Sequence, residues 1–419
     1  MKKRVLFLLL SISIASTAQT KLTLNECYDR ARANYPLIKQ KEFIAKSKDF
    51  SVSNIWRGYL PQITISGQAT YQSDVTSLPI SFPGIKIESL TKDQYKAVAD
   101  VTQVIYDGGI MSSQAEVQKA SSEADDQKIE IELLRVKERI NQIYFGIILL
   151  DEQLIQTELV KKDLSASLEK LNAAFANGTA TKPNVDVLKA EQLKADQRII
   201  EIKSSRTAYL EMLGMFINEK LSEATLLQLP ENQIEIINAE ITRPELKLYS
   251  SQEKMLNEQS GLSLAKILPK ASLFFQGGYG KPTLNMLKNN FDWFYITGAR
   301  LSWSPSNLYT YGNESEITEL NKKSVEAQKE AFLLNTKVTL KQQNAEIEKL
   351  KELIKVDDEI IEIRVSVKLS AKAQLENGVI TSNDFIRELN AEDQARQNLA
   401  IHKVQLMLAE QTYRTTLGN

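Results

Sequence analysis

The chain has 419 residues, with Lys+Arg 52 against Asp+Glu 53, and the formal net charge of −1 supplies no bulk attraction to nucleic acid or to an anionic surface. A single His and a single Cys leave no His/Cys zinc set, no disulfide framework and no catalytic constellation needing two of either. Gly (16) and Pro (10) make up about 4% and 2% of the residues, below the usual roughly 7% and 5%, so there are few places to turn and long uninterrupted elements are expected.

At the N-terminus Lys2, Lys3 and Arg4 precede an apolar run from Val5 to Ile14 and the small residues Ser16-Thr17-Ala18, the pattern of a secretory signal peptide over 1–18. That run is too short to span a bilayer, and no later stretch approaches 18 apolar residues. Cys27 follows Leu24-Asn25-Glu26, which lacks the small residues expected before a lipidated cysteine, and reads as a partly buried helix residue. A first helix is expected from about Asn25 to Arg57.

The period then changes. Ile63, Ile65, Gly67, Ala69 and Tyr71 alternate with Thr64, Ser66, Gln68, Thr70 and Gln72, which predicts a strand with one apolar and one polar face. A partner strand is expected from about Gln94 to Ile105, with Tyr95, Ala97, Ala99 and Val101 on its apolar face. Both are long enough to cross an outer membrane as tilted strands.

From Ser112 to Asn177 there is no Pro and only Gly146, and at 1.5 Å per residue this stretch predicts a helix roughly 100 Å long. Ile129, Leu133, Val136, Ile140, Ile143, Ile147, Leu150 and Leu154 keep a 4,3 spacing, resumed at Leu164, Leu168, Leu171 and Phe175. A second set, Leu134, Tyr144, Ile148 and Ile155, lies beside that seam and calls for neighbours on two sides. At Asn177-Gly178-Thr179 the rod should end in a left-handed stop, and a shorter helix should run from Asn184 to Leu213 with Pro183 in its first turn.

The second half repeats the plan. Ala271, Leu273, Phe275 and Tyr279 mark one strand, and Trp293, Tyr295, Ala299, Leu301 and Trp303 another. Tyr71, Tyr279, Trp293 and Trp303 fall near strand ends, where a membrane-interface girdle of aromatics belongs. Asn313 to Asn377 contains neither Gly nor Pro and has a looser seam through Leu340, Ile347, Leu350, Ile354 and Ile361. Asn377-Gly378-Val379 stands 200 residues after the first tip, and a last helix is expected from Ser382, its capping residue, to Leu417. Tyr59-Leu60-Pro61 likewise matches Ile267-Leu268-Pro269, so the chain reads as an internal duplication. Four strands in lipid leave two unpaired edges, so copies must pool strands: two would give eight and a filled barrel, three would give twelve and an aqueous lumen.

The sequence resembles the TolC-like outer-membrane efflux proteins over the whole of the expected mature chain. The resemblance is carried by Leu24 with Asn34-Tyr35-Pro36-Leu37, Leu60-Pro61-Gln62, Tyr106-Asp107-Gly108-Gly109, Arg243-Pro244-Glu245-Leu246 and the two Asn-Gly tips. It implies an α+β membrane protein: a long α-helical coiled-coil tunnel plus an outer-membrane β-barrel built from four strands per chain. The parts would be helical over 19–58 and 108–266, a first β-hairpin over 59–107, a second over 267–306, and a second helical repeat over 307–419. It also implies a homotrimer in outer-membrane lipid that passively conducts small molecules as the exit duct of a tripartite pump. The tips would dock a periplasmic adaptor, and through it an inner-membrane transporter. No cofactor, metal, catalysis or nucleic acid is implied.

In that family the helix after each tip often carries acids that ring the closed tunnel entrance. The matching position is Asp384 in the second repeat and Asn184 in the first, with Asp186 two residues on. Arg387 stands where a second acid would be, so Asp384 and Arg387 read equally as a helix-surface ion pair. A duct for protein secretion would use the same residues, and a coiled-coil or adhesin stalk would use the heptads without the hairpins. His402, among Leu399, Val404 and Leu406, reads as a packed or solvent-edge histidine rather than a base.

Overall fold

The computed structural model describes residues 21–76, 89–230, 240–286 and 288–418, so the signal segment read over 1–18 lies outside the described residues. The chain divides into two compact units, one of Met1–Ile38, Ile131–Arg243 and Asn335–Asn419, the other of Lys39–Glu130 and Pro244–Leu334.

The expected first helix is two. Helix α1 (Leu24–Asn34) is opened by a capping box in which Thr23 and Glu26 bond each other's backbone N–H, and α2 runs over Ile38–Trp56. Between them Tyr35 is extended (φ −64, ψ 127), because the residue before a proline is pushed out of the helical region, and here that proline is Pro36. Cys27 is fully buried rather than partly so.

Helix α3 spans Ile110–Ala176, 67 residues, and α4 follows over Lys182–Ile217, two residues earlier and four later than expected. The buried Asp107 holds the start of α3: its carboxylate accepts from the backbone N–H of Gly109 (2.9 Å) and Met111 (2.7 Å) and from the Tyr59 hydroxyl (3.0 Å). Those donors outweigh the cost of burial and hold its pKa below the usual aspartate range.

Along α3 the seam residues Ile129, Leu133, Val136, Ile140, Ile143, Ile147, Leu164, Leu168 and Leu171 are buried, and Leu150 and Leu154 are half-buried. Phe175 and Ile155, both expected inside, are exposed. Phe175 sits in the last turn, where the neighbouring helices end as well. Tyr144 and Ile148 do find a second neighbour, in a core with α1, α4 and Val404, and Leu134 is buried as well.

Helix α5 (Pro244–Lys266) precedes the second pair of strands, and α6 (Leu308–Glu376, 69 residues) and α7 (Ser382–Leu417) follow it. Ile347 and Leu350 of α6 are buried, whereas Val356, Ile360 and Ile363 form an exposed stripe that the loose seam did not reveal. No described helix is long and apolar enough to cross a membrane.

Strands β1 (Gln62–Tyr71), β2 (Asp93–Tyr106), β3 (Lys270–Lys281) and β4 (Asp292–Ser302) form one antiparallel sheet in the order β1-β2-β3-β4. A register shift between Val104 and Tyr106 lengthens β2 beyond its expected end. The sheet is open, with β1 and β4 at its edges. The ends of β2 and β4 lead into α3 and α6, and the starts of β1 and β3 follow α2 and α5, so all four helical connections leave from one end of the sheet.

Candidate functional site

The two helical hairpins close by one hydrogen-bond pattern. Gly178 N–H donates to Phe175 O (3.0 Å) and Thr179 N–H to Ala174 O (2.9 Å); Gly378 N–H donates to Leu375 O (3.0 Å) and Val379 N–H to Gln374 O (2.8 Å). Each is a Schellman stop, and Gly178 (φ 73) and Gly378 (φ 70) occupy its left-handed position, which a side chain disfavours by about 1–2 kcal/mol. Thr179 and Val379 are exposed at the turns, as are Asn177 and Asn377. Lys170 joins Glu376 at 2.6 Å just before the turns, so the tips lie side by side over one core of Leu164, Leu168, Leu188, Phe385 and Leu389.

The helices after the tips start differently. Thr381, not Ser382, is the N-cap of α7, and Ser382 is its fully buried first residue. Thr381 and Asp384 make a capping box: the Asp384 carboxylate accepts from Thr381 Oγ1 (2.7 Å) and N–H (3.2 Å), while Thr381 Oγ1 accepts from Asp384 N–H (3.3 Å). The hydroxyl and backbone donors of Thr381 hold the Asp384 carboxyl below the usual aspartate range. Arg387 Nη1 stands 3.9 Å from Asp384 Oδ1, and its Nε donates to Glu388 (3.1 Å). Thr181 caps α4 with no side-chain bond; Asn184 is half-buried there and Asp186 exposed.

Three features below the tips carried no sequence signal, since their partners lie far apart in the chain. Lys368 Nζ on α6 meets Glu392 (2.7 Å) and Asp163 (2.9 Å), and Arg396 adds a 2.6 Å bond to the buried Glu392. Burial opposes the Lys368 charge, yet the bonds to Glu392 and Asp163 carry its pKa above the usual lysine range. Arg198 on α4 bonds Gln397 and stands 3.5 Å from Asp393 on α7. His402 Nδ1 lies 2.5 Å from Asp357 on α6, a partner that no spacing proposed; the pair ties two helices together.

In the sheet, the register brings the predicted apolar residues onto one face. Ile63 faces Val101 and then Phe275; Gly67 faces Ala97, Tyr279 and Trp293; Ala271 faces Leu301. Ile63, Ile65, Tyr295 and Leu301 are all exposed. Tyr71 (78% exposed), Trp293 (77%) and Tyr279 fringe this face at the hairpin end, and Trp303, just past β4, fringes the helix end, its indole N–H donating to Ile267 O (3.0 Å). At ~3.4 Å per residue, the ten residues from Trp293 to Trp303 span about 34 Å along the strand. The opposite face carries Gln62, Thr64, Ser66, Gln68, Lys96, Asp100, Thr102, Ser272, Gln276 and Arg300, but also Phe274 and Phe294, which were not expected there.

The family model described as outer membrane efflux protein matches residues 27–215. The solved structure of the outer-membrane channel OprN shares 12% identity at a TM-score of 0.71, covering 94% of this chain and 89% of that one. The outer membrane protein VceC of Vibrio cholerae shares 13% at 0.69 (94% and 96%), and the CmeC outer membrane channel of Campylobacter jejuni 14% at 0.67 (94% and 85%). At such identities these likenesses establish the fold. Among curated protein sequences none matches the chain. The resemblance to TolC-like outer-membrane efflux proteins thus holds, by sequence over residues 27–215 and by fold over 94% of the chain.

Proposed function

We propose that this TolC-like chain is the subunit of a homotrimeric outer-membrane duct, the passive exit for small molecules in a tripartite efflux system. The observation that carries the reading is the open four-stranded sheet, apolar and aromatic-fringed on one face and mainly polar on the other. In hydrocarbon an unpaired edge costs several kcal/mol per orphan group, so β1 of one copy is assigned to β4 of the next. Three copies bring twelve strands, enough for an aqueous lumen, where two would make a barrel filled by its own side chains.

In this reading the apolar face meets lipid and the polar face lines the lumen. The long helices extend into the periplasm as the tunnel, and the tips Asn177-Gly178-Thr179 and Asn377-Gly378-Val379 dock the adaptor that leads to an inner-membrane transporter. Asp384, Arg387, Asn184 and Asp186 stand at the entrance. The Asp384 capping box favours a structural duty for that acid, with its exposed carboxylate adding charge to the entrance. The deciding experiment is the subunit number in detergent together with conductance in a planar bilayer. Trimers with discrete pores are expected; a stable, water-soluble single subunit, or an inserted but silent trimer, would reject the duct.

A further inference from the structure

The charges on the polar face of the sheet are unevenly placed. Lys96 shares its row with Asp292, across Gly280, so the hairpin end is balanced. Four residues along β2, Asp100 is satisfied by a neutral amide, the Gln276 Nε2 donating at 2.6 Å. At the helix end the balance is lost. Arg300 pairs through Ser272 with Val104, and Lys270 lies in the next row opposite Ser302. The two cations are thus diagonal neighbours on adjacent strands, a spacing of roughly 7–8 Å. Among the described residues no carboxylate lies within ion-pair distance of either.

What holds Arg300 is an aromatic ring. Its guanidinium carbon lies 4.8 Å from the centroid of Phe274, on the same polar face. Phe274 in turn packs over Gly298, where an added Cβ would come within 3.1 Å of the ring. The pairing fixes the cation against the wall without neutralising it, which accounts for a phenylalanine on a polar face. Within the strands the nearest acid on this face, Asp100, is four residues up β2 from Val104, roughly 14 Å away at ~3.4 Å per residue and beyond the ~8 Å screening length at physiological salt, while Asp107, just past the Tyr106–Ala271 pair, has its carboxylate taken up by Gly109, Met111 and Tyr59.

We propose that Lys270 and Arg300 form a cationic collar at the helix-side mouth of the barrel, which binds passing anionic groups and makes the duct prefer anionic solutes. The inference rests on the trimeric duct proposed above, in which three copies set six such cations around one opening. A ring of like charge with low-dielectric walls concentrates counter-ions, and cargo bearing a carboxylate, phosphate or sulfonate is the class it favours.

The test is the reversal potential of the full-length trimer in a planar bilayer under a KCl gradient, first near 0.01 M, where the screening length is ~30 Å, and then near 1 M, where it is ~3 Å. Wild type should favour chloride at low salt and lose most of that preference at high salt. Lys270→Gln with Arg300→Gln should move the reversal potential toward potassium, and Asp100→Asn should move it the opposite way. Conducting pores whose selectivity is the same in all three proteins would overturn the collar alone. Trimers that insert but do not conduct would overturn the duct and the collar together.

Discussion

Lys368 on α6 and Glu392 on α7 meet at 2.7 Å beneath the helical tips, with side chains 14% and 5% exposed. Removing one member of a buried pair typically costs about 3–5 kcal/mol, because the other charge is stranded. Here Asp163 remains for Lys368 and Arg396 for Glu392, so Lys368→Met or Glu392→Leu should each cost less, about 2 kcal/mol. Thermal unfolding of the detergent-solubilised oligomer reads this, and an unshifted midpoint for both variants would count against the pair.

The repeated left-handed glycines give a second prediction. Gly178→Val and Gly378→Val should each destabilise a hairpin by about 1–2 kcal/mol and weaken adaptor docking or alter gating, while the sheet stays intact. Gly→Asn, better tolerated at positive φ, should be milder. Docking affinity and single-channel records that match wild type in both Val variants would remove the tips from the mechanism.

A third concerns pH. The Asp384 carboxyl titrates below its ordinary value of 3.8, so its cap contribution is complete above that value and is lost as the pH falls through the lowered one. The stability difference between wild type and Asp384→Asn should therefore be constant from neutral pH down to about 4 and shrink below it. A difference that grew on acidification would show the sign to be wrong.

The aromatic fringe gives a fourth. Brominated lipid should quench Trp293 and Trp303, and Trp293→Phe with Trp303→Phe should remove that component while leaving Trp56. Equal quenching before and after substitution would place both indoles away from lipid.

Much of this architecture was legible because packing in rods and sheets repeats. Heptads from Ile129 to Leu171 and the two-residue period from Ile63 to Tyr71 name the buried and paired faces directly, and two Asn-Gly stops at one offset name the hairpins. The helix break at Tyr35-Pro36 falls inside the single helix expected from Asn25 to Arg57, although Pro36 carries the signal for it. Contacts between helices were beyond reach: Lys368 with Asp163, or His402 with Asp357, join positions whose alignment depends on how two rods slide past each other, and a periodic pattern is the same at every shift of one heptad. Phe274 and Phe294 also broke the strand alternation, because a ring stacked beneath a cation satisfies both residues on a polar wall.

The bare outer flank of β1 bears on how the protein matures. Ile63 and Ile65 stand clear of the rest of the chain, 68% and 81% exposed, beside backbone donors and acceptors that no strand covers on that side. In the proposed trimer, a copy that has not yet met its sisters carries an adhesive seam, open to any extended peptide it encounters. Maturation becomes a race between sisters and strangers, governed by how crowded the sisters are and by whatever escorts shield the seam. Yield should accordingly fall more steeply than in proportion when the copies are diluted.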